Sequence, residues 1–231
     1  MYPRDLTWVE LRDYVSKGVN PLIIPVGSIE GHGAHLPIDT DVLIASFIAD
    51  EVAKRFGWVS LPPVTYSITV PTRVSNVCIP TRVFSEYLKS ILEHFASYGQ
   101  RKFVIVLGHG GPDMKRAVVN ACSPICLERG AAVGVYHVSQ ILRDLGLVDT
   151  SIDRHAGGWE TSMVMAIDGG LVKSLSAYRS LEDLRRYGVA GNPLEASPQR
   201  GAELINAVVS YVGEEAKKLE LGKCIFNWVK G

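Results

Sequence analysis

Between Gly27 and Asp41 the chain places three acidic residues and two histidines in fifteen positions: Glu30, Asp39 and Asp41, with His32 and His35. Carboxylate oxygens and imidazole nitrogens are the donors that divalent zinc, manganese or iron(II) accept. Glu30 and His32 are two residues apart, so an extended backbone turns both side chains to one side. Asp41 stands where a helical pattern begins. One loop that gathers a Glu, a His and an Asp suggests a divalent metal site, for which the rest of the chain must supply further ligands.

Two later stretches have suitable residues. Gly108-His109-Gly110-Gly111-Pro112 follows the apolar run Phe103 to Leu107, and His155-Ala156-Gly157-Gly158-Trp159-Glu160 opens an apolar helical segment. Singly, each has an ordinary structural use: a loop histidine as a hydrogen-bonding group, Asp41 as a helix cap, Glu160 as a first-turn carboxylate favoured by the helix dipole. Jointly they are expected to converge on one sheet edge. Each lies at a strand end or a helix start, where α/β proteins bind ligands, beside glycines that let the backbone come close.

The elements that must position them follow from hydrophobic period. Leu22 to Val26, Lys102 to Leu107 and Ala131 to Val138 read as buried strands, and Trp58 to Leu61 as a short one. Helices are expected from a Thr7/Glu10 capping box to Lys17, from Asp41 to Gly57, and from Ser85 to Tyr98. Another starts at Pro112 with a kink or break at Pro124, and others cover Ser139 to Leu145, Glu160 to Ile167 and about Gly201 to Leu219. Segments 64–81 and 176–200 read as extended or looped. The alternation of strand and helix predicts a three-layer α/β/α architecture with a mostly parallel central sheet, as one domain over residues 1–231.

Composition narrows the function classes. The 24 basic and 24 acidic residues balance and no Lys/Arg run occurs, so nothing electrostatic favours nucleic acid or a membrane surface. An uncharged chain tends to associate, which favours a homo-oligomer. No apolar stretch reaches the roughly 18 residues of a membrane span, and the first residues carry no apolar leader. Cys78, Cys122, Cys126 and Cys224 form no C-x-x-C pair and read as free thiols in a reducing, cytoplasmic compartment.

The motifs Gly27-Ser28-Ile29-Glu30-Gly31-His32-Gly33-Ala34-His35-Leu36-Pro37 with Thr40-Asp41, then Gly108-His109-Gly110-Gly111, then His155-Ala156-Gly157 with Glu160-Thr161-Ser162 resemble those of the creatininase (creatinine amidohydrolase) family in order and spacing. The resemblance runs from Leu6-Thr7-Trp8 to Gly201. It implies a creatininase-like fold and two divalent metal ions per chain, Zn, Mn or Fe(II). Glu30 and His109 would hold one, His32 and Glu160 the other, and Asp41 would bridge both. It further implies that a water activated by the metals attacks an amide-type carbonyl, with His155 passing a proton to the leaving nitrogen. His35 is left a supporting role.

The implied substrate is a small molecule with an amide, cyclic amide or formamide bond, such as a formylaminopyrimidine ribonucleotide or creatinine. A peptidase-type or non-catalytic relative is the alternative. The extra acidic residue that creatinine enzymes carry near His109 is absent from Gly108-His109-Gly110-Gly111-Pro112, the first acidic residue after His109 being Asp113, which favours the nucleotide-deformylase branch. Pro112, Gly158 and residues 66–84 depart from the family pattern. Within that divergent segment Arg73 is a candidate for an anionic group such as phosphate, and Trp159 for stacking on a flat ring. Family members are typically multimers, hexamers among them, and Cys224 to Val229 is expected to be a contact segment or an edge strand.

Overall fold

Leu22, Ile23, Ile24 and Val26 are buried, as are Phe103 to Leu107, so these runs need cover on both faces. A computed structural model, which describes residues 5–229, shows how they obtain it. Residues 1–4, on which part of the expectation about an apolar leader falls, and the last two residues lie outside the described residues. Strands β1 (Leu22–Val26), β2 (Val59–Ser60), β3 (Lys102–Leu107), β4 (Ala132–His137) and β5 (Cys224–Phe226) form one sheet in the order β2-β1-β3-β4-β5. Every neighbouring pair is parallel. The helices are α1 (Trp8–Lys17), α2 (Thr40–Phe56), α3 (Thr81–Ser97), α4 (Pro112–Arg129), α5 (Val138–Asp144), α6 (Gly158–Asp168), α7 (Leu181–Arg186) and α8 (Pro198–Lys217).

Strand side chains alternate between two cores. Ile23, Val104 and Val106 pack with residues of α2, α6 and α8, among them Ile48, Val164 and Val208. Leu22, Ile24, Phe103 and Ile105 pack with Phe84, Leu88 and Val118 of α3 and α4. The expected three-layer architecture with a parallel central sheet is therefore the one observed. The capping box is also present: the Thr7 hydroxyl accepts from the Glu10 N–H, and the Thr7 N–H donates to the Glu10 carboxylate at 2.8 Å. Cys224 to Phe226 is the edge strand β5, paired with β4.

Three expectations need correction. Helix α4 runs unbroken through Pro124: Ala117, Ala121, Cys122, Ile125 and Cys126 on either side are all buried, and that packing holds the helix together. Helix α3 begins at Thr81 rather than Ser85, because Phe84 in its first turn is buried against the core. The cysteines are not all free. Cys126 of α4 and Cys224 of β5 form a disulfide across a sequence separation of 98, while Cys78 and Cys122 remain thiols. The edge strand lies beside α4 in space, a proximity that cysteine spacing along the chain does not record. The argument from free thiols to a reducing compartment falls with it. Among the described residues no helix is long and apolar enough to cross a membrane.

Candidate metal centre

The register pairs Val26 of β1 with Leu107 of β3, and Leu107 with His137 of β4. The loops after these strands therefore leave the sheet at one edge. Two glycines bring the start of α2 into that edge. A Cβ on Gly108 would lie 2.2 Å from the Asp41 carbonyl oxygen, and one on Gly27 would lie 2.5 Å from the Val42 nitrogen. Only glycine permits this approach, and it buries Asp41 between β1 and β3, where Ser28 Oγ donates to its carboxylate.

The third loop is fixed separately. His155 and Ala190 exchange backbone hydrogen bonds of 2.8 and 3.2 Å. Ala156, with φ of 51°, is the one non-glycine residue at positive φ among the described residues, a conformation costing roughly 1–2 kcal/mol. Its N–H donates to the Glu160 carboxylate. The Asp153 carboxylate accepts from the N–H groups of Gly158 and Trp159 at 3.0 and 3.1 Å, which caps the start of α6. These constraints turn Glu160 inward.

The structure brings Glu30, His32, Asp41, His109, His155 and Glu160 together. His109 Nδ1 lies 3.1 Å from Glu30 Oε1 and 3.2 Å from Asp41 Oδ2. His32 Nε2 lies 3.3 Å from Asp41 Oδ1 and 3.9 Å from Glu160 Oε1. His155 Nδ1 is 3.8 Å from Glu30 Oε1. Three overlapping sets could each hold a metal ion, with donor atoms within 4.8 Å of one another: Glu30/Asp41/His109, His32/Asp41/Glu160 and Glu30/His32/His155.

Electrostatics fit a cation at this place. Burial alone would depress the pKa values of His32 and His109, yet the carboxylates around them raise both to about 10. Burial likewise opposes ionisation of Asp41, and His32 and His109 overcome it and hold its pKa well below the carboxylate range. Glu160 is pushed up to about 8, first by burial, against the pull of His32. Protons on the two histidines thus balance part of the carboxylate charge. His32 Nδ1 is 3.2 Å from the Glu30 carbonyl oxygen, which fixes the proton there, while the buried Nε2 has no hydrogen-bond partner and faces the three carboxylates. An orphaned imidazole nitrogen among carboxylates is the donor arrangement a divalent metal satisfies.

Two clefts meet at this cluster, and both are lined by Glu30, His109 and His155. The larger, of about 360 Å³, also reaches Lys115, Arg143 and Arg154. The smaller, of about 300 Å³, reaches Arg73 and Asn76. Arg73 Nη1 donates to the Tyr187 carbonyl oxygen at 2.8 Å, so part of its guanidinium is spent on the backbone. Trp159 lines the larger cleft but is 2% exposed and packs in the core. His35 lies behind the cluster, with Nδ1 2.7 Å from the Tyr178 hydroxyl and Nε2 2.9 Å from Thr161 Oγ1. Burial lowers its pKa to about 4, so it is a neutral tie between loop and α6.

Sequence reasoning assigned no role to Ser28, Asp153, His137 or the three basic residues of the larger cleft. His137 ends β4 in register with Leu107, so the rule that flagged His109 applies to it as well. Burial, then the charge of Lys115, push its pKa down to about 3.

The parallel sheet thus carries, beyond its carboxyl edge, a buried carboxylate–imidazole cluster with the donor types of a divalent metal site. The family model for creatininase, described as creatinine amidohydrolase, matches residues 4–215, and the chain belongs to that family. It is 29% identical over 228 residues to the mycofactocin precursor peptide peptidase of Mycolicibacterium smegmatis, covering 85% of this chain and 84% of the relative. It is 36% identical over 97 residues to the 2-amino-5-formylamino-6-ribosylaminopyrimidin-4(3H)-one 5'-monophosphate deformylase of Methanococcus maripaludis, covering 38% of this chain and 41% of the relative. A manganese creatininase structure superimposes with a TM-score of 0.79 at 20% identity, over 94% of this chain and 97% of that one, which shows the shared fold.

Proposed function

We propose that the chain is a dinuclear metal-dependent amidohydrolase that cleaves a C–N bond of a small amide, cyclic amide or formamide. The observation that carries this is the pair of ligand sets sharing Asp41: Glu30 and His109 on one side, His32 and Glu160 on the other. These residues would hold two divalent ions of Zn, Mn or Fe(II), which supply an activated water and a polarised carbonyl at neutral pH. Ser28 keeps Asp41 oriented between the two sets.

His155 is the proton carrier. Its Nε2 donates to the Gly31 carbonyl oxygen at 3.0 Å, so the lone pair of Nδ1 faces the cluster. Burial, then the charge of His32, lower its pKa, so it is neutral at neutral pH and Nδ1 is free to accept a proton. Its side chain is 31% exposed, within reach of substrate. It takes the proton of the attacking water and returns it to the leaving nitrogen as the C–N bond breaks, the products being a carboxylic acid and an amine.

The partial likeness to the deformylase supports a formamide substrate such as a formylaminopyrimidine nucleotide. A second reading, cleavage of a peptide, is favoured by the two clefts that meet at the cluster and by the likeness to a peptidase along most of the chain. Balanced charge supports a homo-oligomeric state. The test is to load the protein with Mn or Zn and follow formate release from the nucleotide, ring opening of creatinine and scission of a model peptide. Metal-dependent turnover of the nucleotide is the expected result. Peptide scission alone would establish the second reading, and no turnover of any of the three would overturn hydrolysis of these bonds.

A further inference from the structure

The outer wall of the larger cleft is cationic. Lys115 comes from α4, Arg143 from the last turn of α5, and Arg154 from the loop before His155, and all three line the same 360 Å³ space as the metal cluster. Among the described residues neither Lys115 nor Arg154 forms an ion pair. Arg143 has one acidic neighbour, Asp144 at 3.9 Å, whose carboxylate already accepts from Gln140 at 2.8 Å. The Lys115 ammonium lies over the Trp228 ring, 5.4 Å from its centroid. Its pKa is lowered, first by partial burial and then by the charge of Arg143, so the two cations sit close enough to repel.

Gathering three cations beside a single carboxylate, that of Asp144, costs free energy, which a bound anion returns. The acidic groups that face the same space are Glu30, Asp41 and Glu160, and the site proposed above commits all three to metal ions. What the cleft then offers a ligand is net positive charge. The hydroxyl residues Ser139 and Thr150 line it as well. The Arg154 guanidinium, the remaining N–H groups of Arg143, whose Nη2 already donates to Gln140 Oε1 at 2.7 Å, an ammonium and two hydroxyls still provide more donors than the two oxygens of a carboxylate can use, while the three terminal oxygens of a phosphate ester match them. On the opposite side of the cluster, Arg73 is partly spent on the Tyr187 carbonyl.

We propose that Lys115, Arg143 and Arg154 form a subsite for a phosphate monoester carried by the substrate. This rests on the hydrolytic reading for the position of the scissile bond, and it names the substrate class: a phosphorylated small molecule, with its phosphate on the Lys115 side of the cluster.

The test is calorimetric titration of the metal-loaded full chain with ribose 5-phosphate, ribose and gluconate, with Lys115→Met and Arg154→Met variants alongside. Metal content of each protein is measured by elemental analysis. Ribose 5-phosphate is expected to bind at least about tenfold more tightly than ribose or gluconate, and each substitution to weaken it by about tenfold or more at unchanged metal content, the loss of one charge-assisted hydrogen bond. Arg154 is solvent-exposed, so its variant carries no folding burden. Wild-type affinity in metal-replete variants would place the phosphate on the metals and overturn the subsite, and equal binding of gluconate would overturn its phosphate character. Binding is read without turnover. A chain that binds ribose 5-phosphate in this pattern yet hydrolyses nothing would refute the hydrolytic reading and keep the subsite; one that hydrolyses with no phosphate preference would do the reverse.

Discussion

Asp41 concentrates the chemistry of this chain. One carboxylate oxygen faces His32 and the other faces His109, so the two candidate ligand sets cannot form independently. In the proposed reaction His155 carries a proton rather than a metal ion. Substituting His155→Ala is expected to lower kcat by about 10²- to 10⁴-fold while metal content stays at the wild-type level, as checked by steady-state kinetics with elemental analysis. The raised histidine pKa values set a pH dependence in the metal-stripped protein. Protonated His32 and His109 stabilise the folded chain fully below their ordinary value of 6.5, and that contribution is lost as pH rises through about 10. Glu160, raised to about 8, acts in the same direction because its forced ionisation disfavours the fold as pH rises towards that value. Denaturant midpoints of chelator-treated protein should therefore fall from pH 6 to pH 10, and metal uptake should release protons and tighten over the same range. A flat or rising midpoint in stripped protein would contradict the assignment of these protons.

The loops that carry Glu30, His109 and His155 were legible in the sequence because each follows a strand or precedes a helix, and their glycines mark close backbone approach. Gly108 gives that expectation a distance. Gly108→Ala puts a methyl against the Asp41 carbonyl, and the overpacking is expected to cost about 1–3 kcal/mol and to reduce metal retention, measured by thermal unfolding and elemental analysis. The edges of elements were less legible. The early start of α3 and the intact helix at Pro124 are set by burial of Phe84 and of the residues around Pro124, which hydrophobic period alone does not weigh. The Cys126–Cys224 link was hidden for the same reason, since it depends on β5 lying beside α4. It closes a loop of 98 residues, and its reduction is expected to cost roughly 2–4 kcal/mol, visible as a lower unfolding temperature with reductant. Asn227, which follows β5, donates to the His137 carbonyl and accepts from the His137 N–H. Loosening β5 should therefore also disturb the wall of the larger cleft.

On the scale of the whole molecule, chemistry and specificity occupy different places. The candidate metal cluster is assembled at the sheet edge from three loops and the first turns of α2 and α6, and its residue types alone pointed to divalent metal. The clefts on either side are built by residues far apart in sequence, Lys115, Arg143 and Arg154 on one and Arg73 with Asn76 on the other. No motif joins them, so the substrate was not legible from the chain. The relatives reflect this division, since one fold serves proteins named as a peptidase, a nucleotide deformylase and a creatininase. All proposed activities require the same centre, so its stoichiometry is the most direct test. Elemental analysis of the purified full chain, reconstituted with Mn or Zn and freed of excess metal, should give two ions per chain, falling below one in Asp41→Ala. One ion or none in the wild-type protein, or two retained without Asp41, would contradict a dinuclear centre bridged by that carboxylate.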